Sequence, residues 1–455
     1  MIEIDNQRNL FRRGPRRSNP NRILILLGLI IAGLYIILGV QRGDISQAFM
    51  PTPTATRMPE SYRLEAETQF KAGNLSGAIQ AYEQAMAIEP ENAELIAELA
   101  RIQTYYSNLA TTDGEARQRL LAAKANIDRA TELAPDNSFV QAVRAFVYDW
   151  NANPTHAGEK SGEYMATAEQ AAMTALSLDS QNALALAYYA EILIDNLKYA
   201  QAAENIRQAL ERDDTLMDVH RVSGYVRESS EDYEGAIEEY KKAVEIMPNF
   251  TPLYIQIGTN YRTLGLRSTN EERAKQMYEE ALRNYEMAVN INKRIGVQDP
   301  IPYLAISRTY SQMGEFFAAA LNVRTALDML PDNPDIYGQL GLVYFRARNY
   351  ESAIPALKCA VYGCSAAESC EVRRCNPETD PPIEIPGLPL TDGSVIYYYT
   401  YGSVLAGMHR PGLDYCERSK QVLAEVRAAY SDNNEIMAII IPSEQICASY
   451  EITSP

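Results

Sequence analysis

A short pattern of alanines and bulky residues recurs along most of the chain. A bulky residue precedes a first alanine, a large residue follows four positions after it, a second alanine stands three positions further on, and a proline or polar residue ends the pattern. Spacings of three, four and seven residues place these side chains on one face of a helix. The clearest copies lie at 74–90, 198–214, 232–248, 315–331 and 349–364. The pattern predicts a stack of repeated helical units.

The segment before each copy has the pattern of a partner helix. Four of these segments carry a small residue at a matching position: Gly224, Gly258, Ser307 and Gly341. A small side chain lets two helix backbones approach closely, and the alanines of the second helix allow the same approach from the other side. Each predicted unit is therefore a hairpin of two helices.

These hairpins resemble the tetratricopeptide repeat, with its order of bulky residue, Leu-Gly, Tyr, Gly-x-Tyr, Ala, Tyr, Ala and Pro. The resemblance covers nearly all of residues 59–431 and recurs about nine times. It implies an all-α fold in which about nine antiparallel helix pairs form a right-handed superhelix. It also implies a concave groove, lined by the first helix of each pair, that holds a protein or peptide.

The spacing of the repeats is uneven in a regular way. The first alanine of each second helix marks the unit, at Ala78, Ala123, Ala168, Ala202, Ala236, Ala281, Ala319 and Ala353. The successive steps are 45, 45, 34, 34, 45, 38 and 34 residues. Three steps thus exceed the 34-residue period by eleven residues, which equal about three helical turns. We expect three lengthened hairpins that project as a ridge along one edge.

The repeats divide the C-terminal part of the chain into three segments. Units one to eight occupy residues 59–365, a Cys/Pro-rich insertion occupies 366–393, and a degenerate ninth unit with a capping helix occupies 394–455. We expect Pro442 to break the terminal helix, because proline removes a backbone donor and clashes with the preceding turn.

The N-terminal segment predicts a membrane anchor. Residues 23–40 are apolar and uncharged, and as a helix they extend for about 27 Å, enough to cross a bilayer core. The tail at 1–22 contains six arginines and the Pro/Thr-rich linker at 41–58 contains two. This imbalance predicts a single-pass protein of the cell membrane with a cytoplasmic N-terminus and an extracytoplasmic repeat domain. A cleavable signal peptide remains the alternative, because residues 46–48 resemble a cleavage site.

The net charge restricts the partners. The whole chain carries −17, and because residues 1–44 carry +4, the remainder carries −21. An acidic exterior repels phosphate backbones and anionic lipid, which argues against nucleic acid and against a second membrane contact.

Six cysteines lie in the last hundred residues, at Cys359, Cys364, Cys370, Cys375, Cys416 and Cys447. Outside the cytoplasm an even number of cysteines indicates disulfides, and the spacings lack the CxxC pairs of zinc sites. Zinc or a free redox thiol remains the alternative. We expect the first four cysteines to hold the Pro-rich loop against the stack. Cys416 and Cys447 are expected to join the ninth unit to the terminal helix.

The resemblance also implies which side chains line the groove. The corresponding positions of the first helices select Phe146, Trp150, Tyr225, Thr259, Arg262, Arg308, Phe345 and Arg346. Aromatic residues and arginine are common anchors of interfaces. The alternative is that half of them only cover the surface, and that Trp150 packs under its own eleven-residue insertion. The lysine, asparagine and arginine set that clamps a peptide carboxylate in chaperone-binding members is not reproduced.

The sequence offers no catalytic motif, no metal-ligand spacing and no cofactor fingerprint, so we expect a protein that is not an enzyme and uses no cofactor. We expect His220 to be a packed histidine of the core. The favoured interpretation is a membrane-anchored extracytoplasmic scaffold that binds a protein or peptide. The alternative is a receptor for a soluble peptide or glycan, which needs a closed pocket. Gly28 and Ala32 could let two anchor helices form a homo-oligomer.

Overall fold

The computed structural model describes residues 19–42, 57–110, 113–410 and 412–453. It divides into two units, Met1–Arg57 and Met58–Pro455. In the described part of the first unit a single helix, α1, spans Pro20–Arg42. By length and composition it can cross a membrane, and none of its apolar window Pro20–Gly39 is buried. The predicted apolar helix is therefore present. Most of the linker at 41–58 lies outside the described residues.

The described part of the second unit is almost entirely helical, with twenty-one helices and two short strands. The helices are α2 (Pro59–Lys71), α3 (Leu75–Ile88), α4 (Ala93–Ser107), α5 (Asp113–Leu133), α6 (Ser138–Asn151), α7 (Pro154–Ala157), α8 (Ser161–Leu178), α9 (Ala183–Asp195), α10 (Tyr199–Arg212), α11 (Met217–Ser229), α12 (Tyr233–Ile246), α13 (Thr251–Arg267), α14 (Glu271–Ile295), α15 (Ile301–Met313), α16 (Phe316–Met329), α17 (Pro334–Arg346), α18 (Tyr350–Val361), α19 (Ala366–Arg373), α20 (Val395–Met408), α21 (Cys416–Tyr430) and α22 (Asn434–Thr453). The strands are β1 (Gly363–Cys364) and β2 (Ile385–Pro386), which pair in antiparallel register.

Consecutive helices pack as hairpins, and each hairpin packs on the next. The pairs are α2/α3, α4/α5, α6/α8, α9/α10, α11/α12, α13/α14, α15/α16, α17/α18 and α20/α21. The last helix, α22, packs on both α20 and α21. Within the part of the chain that the structure describes, the predicted all-α stack of about nine helix pairs is confirmed.

Asparagine side chains fix where many of these helices begin. Their amide oxygens accept a hydrogen bond from a backbone N–H in the first turn of α3, α4, α6, α9, α14, α17 and α18. Such a cap satisfies a donor that has no partner inside the helix, and it is worth about 1 kcal/mol. The capping residues are Asn74, Asn92, Asn137, Asn182, Asn270, Asn333 and Asn349.

The repeated small residues lie where the two helices of a hairpin meet. All eight marker alanines are 0% exposed. A Cβ atom added to Gly258 would lie 2.5 Å from the ring of Tyr285 on the partner helix, and one added to Gly224 would lie 2.6 Å from Tyr240. Real Cβ atoms do not approach other atoms so closely, so the predicted close packing at these glycines is confirmed.

The eleven-residue insertions take two forms. Helices α5 and α14 are lengthened to 21 and 25 residues, against 14 in α3. In the third unit the added residues instead form the short helix α7 and a 3-10 turn at Gly158–Lys160, before an α8 of 18 residues. The third hairpin is therefore lengthened less than the other two, because part of its insertion forms a separate short helix and turn. Asn153 caps α7 with Pro154 at its first position, and Gly158, with φ of 56°, ends it.

The structure contains three disulfides, Cys359–Cys364, Cys370–Cys375 and Cys416–Cys447. The first two each join cysteines five positions apart, so neither bond reaches the Pro-rich loop at 376–393. The expectation that the cysteines themselves hold this loop is wrong. Instead β2 in the loop pairs with β1, and the N–H of Leu388 donates to the carbonyl oxygen of Ala360 at 2.8 Å.

The terminal helix α22 continues through Pro442, so the expected break is wrong. A proline removes only one backbone donor, and packing on both sides of it holds the helix together. Ile440 and Cys447 are fully buried, and the bond from Cys447 to Cys416 ties α22 to α21.

Candidate functional site

Helices from the second and fifth hairpins meet directly across the inner side of the stack. Arg101 and Tyr105 on α4 both bond to Asp218 on α11, which lies 117 and 113 residues further along the chain. The Arg101 Nη1 to Asp218 Oδ2 distance is 2.9 Å. The ring of Tyr105 also packs edge-on against Phe250, with 5.4 Å between centroids. These contacts between α4, α11 and Phe250, which we call the closure, close the inner face where the resemblance implies an open groove.

Asp218 is the centre of this closure. Its side chain is 3% exposed and accepts hydrogen bonds from the hydroxyls of Tyr105 and Tyr188, both at 2.5 Å. Burial by itself raises the pKa of the Asp218 carboxyl, but Arg101 and the two hydroxyls outweigh burial and hold the pKa below its usual value. The ionised form is the one these donors stabilise.

Phe146 belongs to the core beneath this closure. It is 0% exposed and stacks on Tyr188, with ring centroids 4.5 Å apart. The expectation that Phe146 contacts a partner in an open groove is wrong, because its ring is fully buried in contact with Tyr105 and Tyr188.

A cavity of about 960 Å³ lies beside the closure. Its wall is built from α4, α6, α9, α11, α12 and α13, together with the segments that the insertions of the second and third units add. Ala116 and Leu120 of α5, the loop and short helix around Pro154, and Met165 of α8 all line it. The inserted residues therefore form part of the wall of this cavity, which we call the central cavity.

Two of the predicted binding residues, Trp150 and Tyr225, line the central cavity. The indole N–H of Trp150 donates to Glu191 at 3.1 Å, and Glu191 also binds the guanidinium of Arg221 at 2.5 and 2.8 Å. The Tyr225 hydroxyl donates to Asp195 at 2.6 Å. Residues of the insertion that follows Trp150 line the same cavity.

The most unusual group of the cavity is the carboxyl of Asp149, which was not predicted from the sequence. Its side chain is 4% exposed, and no described residue donates a hydrogen bond to its Oδ1. Burial raises the pKa of this carboxyl, and the neighbouring carboxylates of Asp195 and Glu191 raise it further. The available signal was an acidic residue that interrupts an apolar run, AFVYDW, ending at Trp150.

The comparisons with known proteins agree with the helical pairs. The profile of the tetratricopeptide repeat matches residues 190–249 and 304–367. Over these two segments the chain is similar to this repeat. Over 134 residues it is 29% identical to the BBSome complex member BBS4 of Bos taurus, a stretch that covers 29% of this chain and 22% of that protein. The chain thus spans about a fifth of the length of that curated relative.

Solved structures with the same fold extend the likeness over most of the chain. A human IFIT1 dimer with m7Gppp-AAAA has a TM-score of 0.51 and 18% identity, and the match covers 87% of this chain and 91% of that one. A human IFIT1 dimer with PPP-AAAA has a TM-score of 0.50 and 16% identity, covering 88% and 92%. At these identities the likeness shows the fold, an all-α tetratricopeptide-repeat-like solenoid.

The remaining predicted binding residues of this repeat protein lie along later units. Thr259 and Arg262 on α13 and Arg308 on α15 surround Tyr285, whose hydroxyl lies 3.3 Å from Thr259 Oγ1. Burial raises the pKa of Tyr285, against the opposing effects of Thr259 and both arginines.

On α17 both Phe345 and Arg346 are exposed. The ring of Phe345 packs on the ring of Tyr350, with 6.0 Å between their centroids. These five residues keep their predicted role as binding candidates, separate from the central cavity.

Proposed function

We propose that this tetratricopeptide repeat scaffold is anchored in the cell membrane by α1 and binds a protein or peptide outside the cytoplasm. The repeats make it a scaffold for protein–protein interaction, and proteins built from this repeat are typically non-catalytic. The observation that carries the anchoring is the apolar face of α1. Large side chains such as Leu24 and Ile25 are more than half exposed around the whole helix, as in a segment surrounded by lipid.

The disulfides support an extracytoplasmic repeat domain. All six cysteines are paired, and none is free in the structure. Disulfides persist in oxidising compartments and are rare in the cytosol. The arginine-rich tail before α1 and the small number of arginines after it point to the same orientation.

The exposed apolar residues of α16 are a candidate contact for a protein partner. Phe317 is 87% exposed and Leu321, one helical turn further, is 57% exposed. Side chains four residues apart lie on one face of a helix, so these two form a joint apolar patch. A patch of this kind, together with the exposed Phe345 and Arg346 on α17, offers the aromatic and arginine anchors typical of interfaces.

The PPP-AAAA and m7Gppp-AAAA molecules of the IFIT1 structures do not carry over to this chain. The charged residues that line the central cavity include Asp149, Glu191 and Asp195 but only one arginine, Arg221, among the described residues. Carboxylates repel phosphate, and the exported part of the chain is strongly acidic as well. A phosphate-bearing ligand is therefore disfavoured.

A receptor for a soluble ligand is the second candidate function, and the central cavity favours it. A receptor of this kind needs a pocket rather than an open groove, and a cavity of about 960 Å³ is of the size that binds small ligands. The cavity lies among the second to sixth units.

Two experiments on intact cells test the anchored scaffold. Carbonate extraction is expected to leave the chain in the membrane fraction, and an epitope added after Pro455 is expected to be cut by protease from outside. Cross-linking followed by identification of captured species is expected to recover a protein partner. A soluble, shortened chain would instead show that α1 is a cleaved signal, and an epitope protected from protease would overturn the orientation.

A matched variant pair sharpens the partner test. Phe317→Ser removes the most exposed aromatic side chain of α16, whereas Phe345→Ser does the same on α17. If the cross-linked partner is lost in the first variant only, it contacts the α16 patch. Unchanged capture in both variants would exclude both surfaces as the contact.

A further inference from the structure

The carboxyl group of Asp149 lies at the wall of the central cavity, and the described residues supply no hydrogen-bond donor to its Oδ1. Asp149 as a whole residue is only 4% exposed. A buried carboxyl without a donor or cation is costly, so such groups in folded proteins are ordinarily satisfied. Because Asp149 lines the cavity, a ligand in the cavity could supply the missing partner.

The other charged groups of the wall leave an excess of negative charge. Arg221 is already paired with Glu191 at 2.5 Å, and it is the one Lys or Arg side chain among the described residues that line the cavity. Asp195 accepts a hydrogen bond from a neutral donor, the Tyr225 hydroxyl. Neither Asp149 nor Asp195 has an ion-pair partner among the described side chains. The cavity is therefore complementary to a positively charged group.

We propose that the central cavity binds an organic cation, either a protonated amine or a guanidinium, with Asp149 as its anionic partner and Trp150 as its aromatic partner. An ammonium group has three donors and a guanidinium has five, so either can bond both Asp149 and Asp195. The indole face attracts cations more strongly than other rings do. This site goes beyond the scaffold function and does not depend on how the chain is anchored.

In the empty cavity the raised pKa of Asp149 favours its uncharged form, and a bound cation is expected to favour the carboxylate. Burial raises the pKa of Asp149, and the carboxylates of Asp195 and Glu191 raise it further, against the opposing effect of Arg221. A cation in the cavity offsets both causes, because it replaces lost hydration and neutralises the neighbouring charges. The same group can come from a free amine or from a lysine or arginine side chain of a peptide, and the experiment distinguishes the two sources.

The fluorescence of Trp150 gives a direct measurement, because it is the only tryptophan of the chain. Titration with cadaverine is expected to change its emission saturably, whereas pentanediol, of the same length but uncharged, leaves it unchanged. Asp149→Asn keeps the shape of the side chain and removes its charge. It is expected to weaken cadaverine binding about ten- to hundredfold, the usual loss when a hydrogen bond to a charged group is removed.

Asp136→Asn is the matched control, since Asp136 is exposed in the loop before α6 and does not line the cavity. This control is expected to keep the wild-type Kd. A capped pentapeptide with a central lysine, and the same peptide with norleucine, form the second arm. Binding of the lysine peptide but not of cadaverine assigns the cation to a peptide side chain, and binding of cadaverine alone assigns it to a free amine.

Three results would overturn the proposal. They are an equal response to cadaverine and pentanediol, no response to any cationic probe, and a wild-type Kd in an Asp149→Asn variant that circular dichroism shows to be folded. The comparison of the two probes uses the wild-type chain. The proposal therefore stays testable even if the variant does not fold.

Discussion

Replacing Asp218 with asparagine tests whether the contact between α4 and α11 closes the inner face. The carboxylate is 3% exposed and accepts hydrogen bonds from Arg101, Tyr105 and Tyr188. Asparagine has nearly the same shape and retains one carbonyl oxygen for the two tyrosine hydroxyls. Its NH₂ group, however, cannot accept the hydrogen bond that Arg101 donates. Asp218→Asn therefore removes the ion pair and leaves most of the packing intact.

The magnitude follows from the remaining partners of Arg101. Removing one member of a buried ion pair costs about 3–5 kcal/mol, mainly because the other charge is left buried. Arg101 keeps a second carboxylate, since its Nε donates to Glu98 at 2.9 Å. We therefore expect the lower end of the range, a loss of about 3 kcal/mol in the free energy of unfolding.

Urea unfolding of the repeat domain measures this loss. Trp150 fluorescence reports on the region beside the closure, and far-ultraviolet circular dichroism reports on all helices. The unfolding transition that Trp150 fluorescence reports is expected to have its midpoint at a lower urea concentration in Asp218→Asn. In Asp136→Asn, an exposed acid, a change of less than about 0.5 kcal/mol is expected. A loss below about 1 kcal/mol in Asp218→Asn would refute the idea that this ion pair stabilises the closed face.

The same variant has a definite pH dependence. The folded pKa of Asp218 lies below its usual value, so its contribution to stability is present above the unfolded pKa, near 3.9, and is lost as the pH falls through the folded pKa. The difference in stability between wild type and Asp218→Asn is therefore expected to be constant near neutral pH and to shrink only below about pH 4. A difference that already disappears at pH 6 would contradict the assignment.

Two further changes test the packing of the stack. Gly258→Ala places a Cβ atom 2.5 Å from the ring of Tyr285 and is expected to cost about 1–3 kcal/mol in urea unfolding. The same change at Gly162, which has open space, is the control, and equal effects would contradict the packing argument. Cys416→Ser with Cys447→Ser removes the bond between α21 and α22 and is expected to cost about 2–4 kcal/mol. An unchanged melting temperature would show that the bond does not stabilise the C-terminal end.

The repeat pattern predicted the helix pairs because the interactions that form them are local. Ala236 and Tyr240 lie on one helix, and Gly224 lies on the preceding helix, so a short window of sequence contains a whole hairpin. Their spacing alone identifies the buried face, and all three are buried in the structure. His220 likewise lies in the core as predicted, bonded to Glu239 at 2.8 Å.

The closure could not be predicted, because its contacts join distant parts of the chain. Nothing near Arg101 in the sequence indicates a partner 117 residues later, and no repeat position encodes it. The assignment of Phe146 to an open groove failed for this reason: the position faces inward as the resemblance implies, but the inner face is closed there. Trp150, one helical turn further, lies beyond the closure and does reach the cavity.

The insertions and the closure together change what the inner face can recognise. An open groove binds an extended chain over many units, whereas the walls built by α5, α7 and α8 surround a compact volume beside Asp149. The cavity wall and the closure share α11. On this helix Asp218 pairs with Arg101 of α4, and Arg221 pairs with Glu191 of α9. Any ligand that draws Arg221 or Glu191 inward therefore acts on a helix whose position Asp218 also fixes. Recognition in the cavity and the shape of the stack depend on the same helix.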